Sequence, residues 1–143
     1  MRRLFVIGGV FLLCALLAPA QQGLTLQVQL HYTGSGTVDE THKIFVALWD
    51  SAGFADGEGG PPVAVQSTSS KNGTVTFSNV QKAPAYVSAA YDPTGQWDAQ
   101  SNPPSGCSLG MYSKNPPKPE PIDITPGKVA KVTISFDDSN KVK

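Results

Sequence analysis

The chain has 143 residues, 15% of them charged, and its eleven basic residues balance its eleven acidic ones. Without a cationic excess to neutralise phosphates, nucleic-acid binding is disfavoured. Forty per cent hydrophobic residues suffice for one modest core, while 14 glycines and 12 prolines interrupt any long helix.

Arg2 and Arg3 open the chain, an uncharged apolar run extends from Leu4 to Leu17, and Ala18-Pro19-Ala20 follows. A positive start, an apolar run too short to favour a membrane span and an A-x-A site make the pattern of a secretory signal peptide. The expectation is a leader over 1–20 and a single domain over 21–143, exported to the periplasm or secreted. A lipoprotein leader needs a small residue before its cysteine, and Leu13 precedes Cys14. No second run of spanning length follows, so no membrane insertion is expected after cleavage. Cys107 is then the lone cysteine, either a buried inert thiol or one arm of an intermolecular disulfide.

Leu24 to Tyr32 alternates, with Leu24, Leu26, Val28, Leu30 and Tyr32 on one face, and predicts a half-buried strand. Thr33 to Thr41 is a polar loop. Lys43 to Asp50 is apolar on both faces, as in a central strand covered on two sides. Ser51 to Pro62 is a Gly- and Pro-rich loop. Val63 to Thr68 predicts a strand, and Asn72-Gly73 predicts a type I′ hairpin leading into Thr74 to Val80. Ala85 to Tyr91 is the next strand, and Asp92 to Gly106 a long loop. Cys107 to Tyr112 predicts a short edge strand. Ser113 to Gly127, with five prolines, reads as a stiff crossover between sheets. Lys128 to Phe136 alternates again, with Ala130, Val132, Ile134 and Phe136 inward, and the polar tail after Asp138 is expected to fray. Short strands of this kind separated by turn residues predict an all-β fold. Two packed antiparallel sheets of about seven strands, immunoglobulin-like or transthyretin-like, would bury every apolar face.

The segment from Val63 to Tyr91 carries Gly73-Thr-Val-Thr-Phe77, Asn79-Val80 and Ala85-Tyr86-Val87-Ser88-Ala89 in order. It resembles the core of transthyretin-like and carboxypeptidase regulatory-like domains, and Val46-Ala-Leu-Trp-Asp-Ser51 fits their first strand. The resemblance covers about half of the mature chain and implies an accessory or binding module rather than an enzyme. The same Val46–Ser51 strand, with Tyr86 to Asp92, is similar to exported bacterial domains of unknown function whose strand end carries an Asp-rich, cation-binding loop. Here that loop is Asp92-Pro-Thr-Gly-Gln-Trp-Asp98, with Thr94 and Gln96 in place of the intermediate ligands.

Four constellations are candidates for function. Asp92 and Asp98, joined by Asp50, Asp137 and Asp138 if the strand ends meet, would make an acidic pole for calcium, the one cofactor considered. Asp residues also serve as plain turn formers. Trp97 and Tyr112 are candidate ligand contacts for a glycan or protein partner, whereas Trp49 and Tyr91 read as core or half-core residues. Catalysis by Cys107 with His31 or His42 lacks any spacing that brings them together, and no nucleophile, metal or phosphate motif occurs. Pro116 to Pro121 reads as the crossover rather than as a partner's ligand. The sequence thus points to a non-catalytic binding or structural accessory module with contact surfaces at 51–62 and 92–106. The alternative is a calcium-stabilised carbohydrate- or peptide-binding domain.

Overall fold

The computed structural model describes residues 23–143, so the leader predicted over 1–20 lies outside the described residues. Seven strands form in chain order: β1 (Leu24–Tyr32), β2 (Ile44–Trp49), β3 (Ala64–Thr68), β4 (Thr74–Val80), β5 (Tyr86–Tyr91), β6 (Ser108–Met111) and β7 (Val129–Phe136). They make a two-sheet β-sandwich, with three strands ordered β4-β1-β7 and four ordered β3-β2-β5-β6. Among the described residues no helix is long and apolar enough to cross a membrane.

Period-two alternation decides which face each strand buries. Leu26, Val28, Leu30 and Tyr32 of β1 are buried, while Gln29 and His31 between them are exposed. Ile44, Val46 and Leu48 of β2 and Val87, Ala89 and Tyr91 of β5 meet them from the facing sheet. Each such aliphatic side chain stabilises the fold by about 1.5–3 kcal/mol relative to exposure.

One pairing departs from the antiparallel expectation: β1 and β7 run parallel, with Leu26 beside Ala130, Val28 beside Val132 and Leu30 beside Ile134. A parallel neighbour needs a long connection. Here β2 to β6 all intervene, and the Pro-rich stretch makes the last leg, carrying the chain from β6 in one sheet to β7 in the other. It is pinned on the way, since Ala85 and Ile122 exchange backbone hydrogen bonds of 3.0 and 2.8 Å. Ile122 and Ile124 drop into the core.

The Asn72-Gly73 hairpin does not form. β3 pairs with β2 and β4 with β1, so residues 69–73 turn the chain from one sheet to the other. Neither Asn72 nor Gly73 has the positive φ of a type I′ turn. Gly73 answers to close packing instead: a Cβ there would sit 2.1 Å from Thr68 Oγ1. Local turn chemistry was overruled by sheet pairing: beside β1, β4 buries Val75, Phe77 and Val80, while β3 forms the edge of the other sheet.

The tail is not frayed either. The Gly106 and Leu109 N–H groups donate to Val142 and Asn140 carbonyls, and Val142 N–H donates back to Cys107. These bonds cover the open edge of β6, which would otherwise present unpaired backbone groups. Asp138 anchors the tail. Its carboxylate accepts from Tyr32 Oη at 2.5 Å, Ser35 N and Oγ at 2.9 Å each, and Ser108 Oγ at 2.7 Å. Hydrogen bonds from Tyr32, then Ser35 and Ser108, hold that carboxyl well below the usual range. Burial, reinforced by the Asp138 contact, pushes the Tyr32 hydroxyl up to about 12. The Tyr32 ring lies 4.9 Å from both Tyr91 and Phe136. The 33–41 loop closes over this cluster only because Gly36 has no side chain, a Cβ there falling 2.3 Å from the Tyr91 ring.

Candidate functional site: an aromatic groove on the four-stranded sheet

The inner face of the four-stranded sheet is core, and its outer face carries the feature that stands out. On β2 the outward row is Phe45, Ala47 and Trp49, opposite Ala90, Ser88 and Tyr86 of β5. β6 extends the row with Leu109 and Met111, opposite Ala90 and Ser88. Gly110 between them faces inward, and its missing Cβ lets Phe136 pack where a side chain would lie 2.6 Å from that residue's Cβ. The centre of the outer face is therefore small (Ala47, Ser88, Ala90), with large rings towards both ends of β2.

Two loops raise the walls. After β2, Ser51 caps a single 3-10 turn (Ala52–Asp56) by accepting from Gly53 N, and Gly57, at φ 71°, closes it. This holds Phe54 in a stack on Trp49, with centroids 4.9 Å apart and planes 12° apart. After β5, Asp92 organises the second wall. It is 1% exposed. It accepts from Thr94 N at 2.9 Å, Thr94 Oγ1 at 2.7 Å and Trp97 N at 2.9 Å. Burial alone would raise its pKa, but the hydrogen bonds from Thr94 and Trp97 outweigh burial and lower it. Trp97 is thereby set edge-on against Phe45, 4.9 Å between centroids and 69° between planes. The space enclosed is about 520 Å³, within the range of small-molecule sites.

Both indole N–H groups are already used. Trp49 Nε1 donates to Ser88 Oγ at 2.9 Å, and Trp97 Nε1 to the Ser101 carbonyl at 3.1 Å. Among the described residues, none lining the groove is charged.

The residues singled out from sequence are dispersed. Trp97 is in the groove. Tyr112 follows β6 on the inward side, half-buried against the core, and does not reach the groove. Asp92 and Asp98 both organise the 92–106 loop, Asp98 by accepting from Gln100 N at 3.0 Å. Asp137 accepts from Ser139 N at 2.8 Å, Asp138 anchors the tail, and Asp50 is exposed at the end of β2. Among the described residues no three His, Cys, Asp or Glu side chains group to hold a metal ion. Tyr91 is core, its hydroxyl donating to the Thr37 carbonyl at 2.8 Å. His31 bonds Asn72, and His42 pairs with Asp39 at 2.9 Å. Cys107 is fully buried, and burial, then the nearby Asp92 charge, push its thiol up to about 11.

Sequence reasoning missed Phe45, Phe54, Leu109 and Met111. One signal pointed to them: β2 is apolar on both faces, yet one face had only loops to cover it. The comparisons do not extend the picture: no family model, curated protein or solved structure matches the chain.

Proposed function

We propose that the chain is an exported, non-catalytic binding module that holds its ligand in the groove on the outer face of β2, β5 and β6. The observation that carries this reading is the groove itself, an aromatic cleft walled by two loops rich in glycine and proline. Loops on a rigid sheet are where binding residues concentrate. The leader-like N-terminus supports export, and the resemblance of 63–91 to transthyretin-like domains supports an accessory role. Against catalysis, Cys107, the one cysteine among the described residues, is buried with its thiol pushed up to about 11, and a thiol without its thiolate is a poor nucleophile.

The test begins with the full-length chain expressed in an exporting host. Its processed form should start at Gln21 by N-terminal sequencing. A small-molecule library followed by tryptophan emission should then give hits whose effect is lost in Trp97→Ala and Phe54→Ala. Hits that survive both substitutions would place the binding surface elsewhere and overturn the reading.

A further inference from the structure

The same groove constrains what can occupy it, and the following rests on its being the ligand site. We infer that it takes an uncharged, mainly apolar small molecule with two linked or fused ring systems. Three observations select that class.

The first is charge. The chain is 15% charged, yet among the described residues no Asp, Glu, Lys, Arg or His lines the groove. A ligand carrying a phosphate, carboxylate or ammonium on its buried side would lose hydration with no counter-charge to meet it.

The second is the state of the polar groups on the floor. The β2, β5 and β6 backbones are paired with one another in the ladder. The Ser88 hydroxyl accepts from the Trp49 indole and keeps its own hydrogen as a single donor, and the Trp97 indole is bonded to Ser101. The remaining floor is Ala47, Ala90, Leu109 and Met111. Sugar hydroxyls or peptide amides laid there would go unpaired, at a penalty that a ring of carbon atoms does not incur. Further polar side chains line the groove at Gln100, Ser101, Asn102 and Asn140.

The third is shape. Phe45 and Trp49 are four residues apart on one strand, about 13 Å along it at the usual rise. Each is backed by a second ring, Trp97 at one end and Phe54 at the other. The small side chains of Ala47, Ser88 and Ala90 leave the depression between them. A two-ring ligand lies over Ala47 with one ring toward each aromatic pair, in the offset or edge-on contacts such rings favour. Met111, flexible and polarisable, adapts to the ring edge.

A matched pair of dyes tests this on the exported protein. N-phenyl-1-naphthylamine is neutral, and 8-anilino-1-naphthalenesulfonate is the same skeleton with a sulfonate added. The chain's two tryptophans both line the groove, so energy transfer from them to the naphthyl ring reports occupancy directly. The neutral dye should bind at least about tenfold more tightly than the sulfonate. Leu109→Glu, checked for an unchanged unfolding profile, should weaken the neutral dye by about tenfold. If that variant does not fold, the wild-type comparison decides alone. Equal or tighter binding of the sulfonate, or binding of cellohexaose in preference to either dye, would overturn the ligand class and leave the groove as a ligand site. No transfer to either dye and no emission change with cellohexaose would overturn both.

Discussion

Replacing Asp92 with asparagine keeps the side-chain shape and tests whether one buried carboxylate builds the groove wall. The carboxylate serves three donors, two from Thr94 on one oxygen and the Trp97 N–H on the other. Asparagine has one acceptor oxygen, so its NH2 must face either Thr94 or Trp97, donor against donor. At 1% exposure, water does not fill the gap. Losing a charge-assisted hydrogen bond and stranding an N–H costs about 3 kcal/mol. In a domain of this size that lowers the midpoint of thermal unfolding by about 10 °C. Circular dichroism at pH 7 measures it, and the neutral dye should bind more weakly because Trp97 is no longer fixed. The pH dependence follows from the lowered pKa of Asp92. A group whose pKa is depressed by folding stabilises above its unfolded value, and that contribution is lost as pH falls through the folded value. The difference between wild type and Asp92→Asn should therefore be full at neutral pH and shrink below about pH 4. A drop under about 3 °C at pH 7, or one that does not shrink with acid, would refute the assignment.

Asp138→Ala removes the acceptor shared by Tyr32, Ser35 and Ser108. It should destabilise by about 2 kcal/mol and speed hydrogen exchange at Leu109 and Val142, whereas unchanged exchange there would mean the tail is held without it. Cys107 should resist thiol reagents at pH 8 in the folded protein and react promptly in guanidinium; rapid labelling under native conditions would contradict its burial. Millimolar calcium should move the unfolding midpoint by less than about 1 °C, because the carboxylates of Asp92, Asp98, Asp137 and Asp138 already accept protein donors. A rise of several degrees, lost in Asp98→Ala, would make the acidic pole a cation site.

The strands were legible where burial alone sets the pattern. β1 and β7 alternate cleanly: the reading Leu24 to Tyr32 matches β1, and Lys128 to Phe136 overruns β7 by one residue at its start. Pairing was less legible, because a turn dipeptide reports local preference and not which sheet a strand joins. Asn72-Gly73 looked like a hairpin, but β4 finds its partner in β1, more than forty residues earlier in the chain. The tail looked polar and free, yet its backbone, not its side chains, closes the β6 edge. Of the groove, Trp97 was visible as an aromatic in a loop, and both wall loops were visible as contact surfaces. Its floor was not, since Phe45, Leu109 and Met111 become neighbours only after β2, β5 and β6 are paired in register. Tyr112 read like Trp97 in composition but alternates to the opposite side of the sheet from Met111.

The central claim is that the outer face of the four-stranded sheet is a site for a neutral ligand. Two-dimensional amide NMR of the protein titrated with N-phenyl-1-naphthylamine tests it most directly. The shifts should concentrate in β2, β5, β6 and the 51–62 and 92–106 loops, together with both tryptophan indole N–H signals. Shifts centred on β4, β1 or β7, or indole signals that do not move at saturation, would contradict it.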